Sequence, residues 1–176
     1  MYRNRSREKC SQNVVAFYQG SCFSNFFLSS FIIDEITFSC VEQYLMFCKA
    51  KMFQDHHISR LILRQKSPLL MKKLGRLVSN FDEKKWKMKR EKIAFDGLYA
   101  KFSQNSHLRD KLLATGEKIL AEASPTDRIW GTGIGLNNRL ALHRKYWCGQ
   151  NLLGKTLMKV RTALQNPNNL VENHGL

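Results

Sequence analysis

Acidic residues are scarce in this chain of 176 residues, where 14 aspartates and glutamates stand against 29 lysines and arginines, a formal net charge of +15. So large an excess draws a protein toward polyanions, either nucleic acid or phosphate-bearing small molecules. Long apolar runs are missing as well. No stretch approaches the ~20 apolar residues of a membrane-spanning helix, and the basic start from Met1 to Asn13 is not followed by a signal-peptide core. A soluble, intracellular and cytoplasmic protein is expected, with a nuclear location compatible with the charge. Five cysteines, Cys10, Cys22, Cys40, Cys48 and Cys148, make an odd number without Cys-x-x-Cys spacing, which fits reduced thiols. His56 and His57 are adjacent and so face different ways, and His107 and His143 have no partner at metal spacing. No metal is expected. The absence of Gly-x-Ser-x-Gly and of a Cys/His motif argues against those nucleophilic hydrolases, and no repeat or low-complexity segment is present.

What is there reads as one domain of α+β class, long enough to bury roughly two thirds of its unfolded surface. Val14 to Phe17, Phe31 to Ile33 and Ile36 to Phe38 have the composition of short strands, the last two joined by a tight turn at Asp34-Glu35. A small N-terminal antiparallel sheet follows. Helices are predicted over Val41 to about Gln54 and His56 to Gln65. Another opens at Ser67-Pro68, where proline suits the first helical position, and ends or breaks at Gly75. A long helix is expected from Asp82 to about Ser103, with Met88, Phe95, Tyr99 and Phe102 as its core stripe. Asn105 caps the next, which Gly116 stops, and Lys118 to Ala123 is strand-like. The last helix spans about Asn151 to Leu164, with Leu153, Leu157, Val160 and Leu164 on one stripe. Residues 1–13, with Arg3, Arg5, Arg7 and Lys9, read as a basic flexible arm, 14–165 as the domain and 166–176 as a flexible polar tail.

Four constellations could carry chemistry. On the first helix Glu42 and Lys49 share a face with Leu45, Met46 and Phe53, about 10 Å apart along the axis. Charges placed where core residues belong point to a partner or a pocket. Trp86 falls opposite the Met88 stripe among lysines, either covered by their stems or offered as a stacking plate. The loop from Glu122 to Gly131 sets Asp127, Arg128 and Trp130 within four residues. Gly149 to Thr156 matches the Walker A pattern letter for letter, but Leu142 to Trp147 is too polar for the buried strand a phosphate loop follows. The simpler reading is the start of the last helix, a place that favours anions.

Phe23-Ser-Asn25-Phe26, Val41-Glu42-Gln43-Tyr44 with Lys49-Ala50, Ser67-Pro68 with Leu74-Gly75-Arg76, and Lys101 to Asn105 form an ordered series that Leu112 to Gly116, Glu122 to Gly131 and Gly149 to Gly154 continue. From about Val14 to Leu164 the chain strongly resembles the YbiA-like, or NADAR, family. The resemblance implies a YbiA-like fold and a cofactor-independent N-glycosidase that hydrolyses the bond between a ribose C1 and a nitrogen base. Two substrate types are associated with the family: phosphoribosylamino-pyrimidine intermediates of riboflavin synthesis, and ADP-ribose on guanine in nucleic acid. A histidine commonly follows the glutamate in the YbiA branch, and Gln43 in its place sets this chain nearer the other branch. By resemblance Glu42 is the carboxylate near C1. Asp127 is the second carboxylate or a ribose ligand, and Lys49 is a proton donor, phosphate ligand or amine nucleophile. Trp86 and Trp130 hold base or sugar, and Asn25, Arg76, Arg128, Gly131 and Asn151 are further substrate contacts. The rival from another class is a non-catalytic ADP-ribose or nucleic-acid binding module.

Overall fold

The computed structural model describes residues 7–166. The α+β class is observed, and the chain divides into two compact units, one comprising Met1–Ser24 and His107–Leu176, the other Asn25–Ser106.

In the first unit β1 (Glu8–Cys10) pairs antiparallel with β2 (Val14–Phe17), and β2 pairs parallel with β5 (Ile119–Glu122), from Val14 opposite Ile119 to Phe17 opposite Glu122. All four residues of β2 are buried, as a central strand covered on both faces requires. The expected antiparallel sheet is therefore mixed. Its parallel strand comes from far along the chain, a pairing that β2's own run of Val14-Val-Ala-Phe17 could not reveal. Glu8–Cys10 is an edge strand within the stretch read as an arm, whereas residues 1–6 and 167–176 lie outside the described residues. Between the strands lies α5 (Ser106–Leu113), followed by Gly116 at φ 53°, the left-handed stop its position suggested. The closing helix, α6 (Leu152–Gln165), packs on β5 through Leu153, Leu157 and Val160, all fully buried. The contact is so close that a Cβ on Gly154 would strike the Leu120 carbonyl. A guanidinium is buried here too: Arg161 donates to Thr115 Oγ1 at 2.8 Å and to the Lys118 carbonyl at 2.9 Å.

The second unit opens with the hairpin of β3 (Phe31–Ile33) and β4 (Ile36–Phe38). Asp34 and Glu35 both take left-handed backbone, φ 49° and 63°, the pair of positive values that a two-residue type I′ turn demands. Behind it α1 (Val41–Met52) is packed by α2 (His56–Arg64), α3 (Pro68–Gly75) and α4 (Glu83–Gln104). Asp55 caps α2 through the Ile58 amide and accepts a second bond from the Ser79 amide, tying two loops together. Phe31, Phe38, Tyr44 and Phe47 form an aromatic cluster, with Tyr44 edge-on to Phe38 at 5.1 Å.

On α4 the expected core stripe is displaced. Met88 is 78% exposed, Phe95 and Tyr99 are half-buried and stacked on one another, and only Phe102 is fully buried. The inward face runs through Trp86, Arg90, Ala94, Gly97, Leu98 and Lys101 instead. The reason is steric: a Cβ on Gly97 would lie 2.6 Å from Tyr44 Cδ1, so the ring of α1 requires the smallest residue on α4 at that point. Residues two apart on a helix point nearly opposite ways, so burial of Trp86 turns Met88 outward. Gly97→Val should therefore lower stability by about 1–3 kcal/mol through overpacking. Met88→Lys should change it by less than about 0.5 kcal/mol. Urea denaturation of the two variants checks the assignment of faces.

Candidate active site

In the second unit Glu42 lies in the first turn of α1, where a carboxylate complements the exposed amides of a helix start. It is 5% exposed, and its backbone N–H donates to the Asn25 carbonyl at 3.0 Å. Asn25 is itself buried, and its Oδ1 has no hydrogen-bond partner among the described residues. The neighbouring Gln43 is a staple. Its Oε1 accepts from the Ser39 amide at 2.8 Å, while its Nε2 donates to the carbonyls of Ile62 and Leu63 at the end of α2. Rigid tethering of Gln43 holds the turn that carries Glu42.

Two turns on, the Lys49 ammonium donates to the Gly75 carbonyl at 2.7 Å and sits 3.9 Å from the centroid of the Phe81 ring. Burial holds this lysine below its ordinary range; Glu83 opposes the shift and Arg76 adds to it. Arg76 is exposed at the end of α3, and Trp86 is buried at 7% exposure, so its indole is not an open plate among the lysines. Neither Gly75 as acceptor nor Phe81 as cation partner was legible in the sequence, because both meet Lys49 only through the packing of α3 and the following loop on α1.

In the first unit the loop after β5 is organised by backbone bonds. Asp127 Oδ1 accepts from the amides of Ile129 at 3.1 Å and Trp130 at 2.9 Å, and its own amide donates to Ser124 Oγ at 3.2 Å. One carboxylate oxygen thus shapes the turn that presents Arg128, which is exposed, and Trp130, which is half-buried. Gly131 has no room for a side chain, since a Cβ would lie 2.7 Å from the Asp127 carbonyl.

The carbonyls of Arg128, Ile129, Trp130 and Gly131 accept the amides of Gln150, Leu152, Leu153 and Asn151, at 2.8–3.1 Å. These four amides, which a phosphate loop would leave open, are therefore spent, and the Walker A match and the anion-favouring helix start both lose most of their basis. Asn151 adopts left-handed backbone and is 3% exposed. Its side-chain Nδ2 donates to the Leu120 carbonyl at 2.9 Å, and its Oδ1 accepts from the Glu122 amide at 3.0 Å. It thereby imitates a neighbouring strand along the free edge of β5.

Residues 15–165 match the family model described as the NADAR domain. The chain belongs to the NADAR family. It is similar to N-glycosidase R617 of Acanthamoeba polyphaga mimivirus, 42% identical over 124 residues that cover 70% of this chain and 73% of that protein. Protein irg-1 of Caenorhabditis elegans is 36% identical over 167 residues, 85% of this chain and 79% of that one. N-glycosidase YbiA of Escherichia coli K12 is 32% identical over 164 residues, 91% and 94% of the two chains. The NMR structure of E. coli YbiA superposes with a TM-score of 0.71 at 30% identity, covering 97% of this NADAR chain and 95% of the other.

Asn151→Gly keeps the left-handed backbone free of cost while deleting both side-chain bonds, and should lower stability by about 2–4 kcal/mol, the cost of two buried groups left unpaired. Chemical denaturation measures it. The Lys49 shift has a definite sign as well. The folded state disfavours its ammonium, a destabilisation present in full below the folded pKa and fading as the pH rises toward the ordinary lysine value. Lys49→Met should remove that alkaline gain, read from melting temperatures between neutral and alkaline pH.

Proposed function

We propose that this NADAR protein is an N-glycosidase that hydrolyses the C–N bond between the C1 of a phosphate-bearing ribose and a nitrogen base. The observation that carries the reading is Glu42, a carboxylate buried at the start of α1 on a chain whose family relatives from a virus and from E. coli are named N-glycosidases. Cleavage of such a bond passes through an oxocarbenium-like state, which a nearby carboxylate stabilises while it orients water and accepts its proton. The C1–N bond breaks, a C1–O bond to water forms, and the leaving nitrogen receives a proton.

In this assignment Glu42 is the carboxylate beside C1, and Lys49 supplies the proton to the leaving group, holds phosphate or attacks C1 as an amine. A lysine whose charged form is disfavoured suits both proton donation and nucleophilic attack. Asp127, with Oδ1 engaged by backbone amides, binds ribose hydroxyls or serves as the second carboxylate. Trp86 and Trp130 hold base or sugar. Asn25, Arg76 and Arg128 contact ribose or phosphate, the unpartnered Oδ1 of Asn25 being suited to accept from a ribose hydroxyl. Asn151 and Gly131 support the site by shaping the loop.

Of the two substrate types, ADP-ribose joined to guanine in nucleic acid is favoured by the net charge of +15. The decisive experiment incubates the purified protein with a guanine-ADP-ribosylated oligonucleotide and, separately, with a phosphoribosylamino-pyrimidine, and follows released sugar by chromatography. ADP-ribose should appear from the oligonucleotide. Ribose phosphate released only from the second substrate would assign the enzyme to small-molecule metabolism. Glu42→Gln should lower kcat by about 10²–10⁴-fold with ADP-ribose affinity changed only a few-fold. Absence of turnover with affinity intact in the unaltered protein would identify a binding module instead.

A further inference from the structure

Basic side chains in the first unit are distributed very unevenly. From Arg128 to Asn166 the chain has seven lysines and arginines and no aspartate or glutamate. Arg161 is buried in the hydrogen bonds already described. The other six, Arg128, Arg139, Arg144, Lys145, Lys155 and Lys159, are all exposed. An excess of one sign along exposed chain attracts polyanions over a Debye length of about 8 Å.

Between this segment and Ile119 of β5 lies a cavity of about 260 Å³, lined by Arg144, Trp147, Gln150, Asn151, Lys155 and Met158 with Gly149. Of the candidate site residues Asn151 lines it, whereas Glu42, Lys49 and Asp127 do not. The indole of Trp147 is set in place, because its Nε1 donates to the Ala141 carbonyl at 3.0 Å and its ring packs against the core of Val14, Ala16, Ala121 and Ala141. A half-buried ring fixed this way presents a face without the entropy of ordering it. Beside it Tyr146 is 47% exposed, with the Lys145 ammonium 5.0 Å from its ring centroid. The amides of Asn151, Leu152 and Leu153 at the start of α6 are bound by carbonyls, so anion recognition here falls chiefly to side chains.

We propose that this groove is a docking site for a single-stranded nucleic acid, with backbone phosphates held by Arg144 and Lys155 and one unstacked base lying on Trp147. Stacked bases of a duplex do not offer a free face to an indole, and a series of separated cations matches a phosphodiester chain better than one small anion. Binding in this groove requires no glycosidic step.

The test measures binding of a fluorescent 20-residue oligothymidylate to the full chain carrying Glu42→Gln, so that turnover plays no part. The double variant Arg144→Glu/Lys155→Glu should raise Kd at least tenfold at about 0.1 M salt. It should also reduce the slope of log Kd against log salt by more than one, as loss of two single-strand phosphate contacts at ~0.7 each requires. Trp147→Leu should weaken binding at least fivefold; if it fails to fold, the charge pair alone decides. The control Arg60→Glu/Lys66→Glu, an equal change at exposed positions of the other unit, should shift Kd less than twofold. Equal losses in both double variants would mean attraction by net charge alone and would overturn the proposal. So would no binding by the unaltered chain, or competition by free thymidine monophosphate as effective, per nucleotide, as the oligomer.

Discussion

The carbonyls of residues 128–132 and the amides of 148–153 form the set of hydrogen bonds on which the first unit depends. A helix begins with amides that its own turns cannot satisfy, and left buried they would each cost free energy. Here the loop after β5 supplies their acceptors, and the Asn151 side chain then satisfies the edge of β5 itself. One network thus closes a helix start, a strand edge and a loop. That is why the loop bearing Asp127, Arg128 and Trp130 is tightly shaped despite its many glycines, and why Gly131, Gly149 and Gly154 have no space for a side chain.

In the second unit the corresponding constraint is the close packing on α1. Glycine at 75 lies beneath Met46 and glycine at 97 beneath Tyr44, letting α3 and α4 approach. The approach brings the Gly75 carbonyl to Lys49, and Gln43 ties the same helix to the end of α2. A buried carboxylate at Glu42 and a partly desolvated ammonium at Lys49 are thereby kept on a helix held on three sides. Placing charge in such surroundings opposes stability unless it is paired.

Much of the architecture was legible locally. The I′ hairpin at Asp34-Glu35, proline at the first position of α3, the Asp82 cap of α4, and Gly116 beyond α5 all lie where their conformational preferences put them. Ser67 makes no side-chain cap bond, so proline alone marks that start. The face of α4 was not legible. Its inward stripe is built from an arginine, a lysine, a glycine and an alanine around Trp86 and Leu98, which hydrophobic periodicity cannot distinguish from an outward stripe. Long cationic stems can line a core, as the fully buried Lys101 beside the rings of Phe27 and Phe102 does. Among the candidate site residues, the sequence identified the ionisable pair on α1 but not the structural duties of Asp127, which caps its own turn through the amides of Ile129 and Trp130, or of Asn151, whose side chain bonds to β5 far back in the chain.

Composition and local pattern alone determined the net charge of +15, the α+β class, the places where most helices start and stop, and the ordered motifs of the NADAR family. These depend on charge, turn chemistry and short-range periodicity, all carried by neighbouring residues. Only the tertiary structure decided that β2 pairs with β5, that Trp86 faces inward and Met88 outward, and that the amides of residues 149–153 in the apparent phosphate loop are bound by carbonyls. Each of those outcomes was set by a partner distant in the chain, and burial is a property of the pair rather than of either segment.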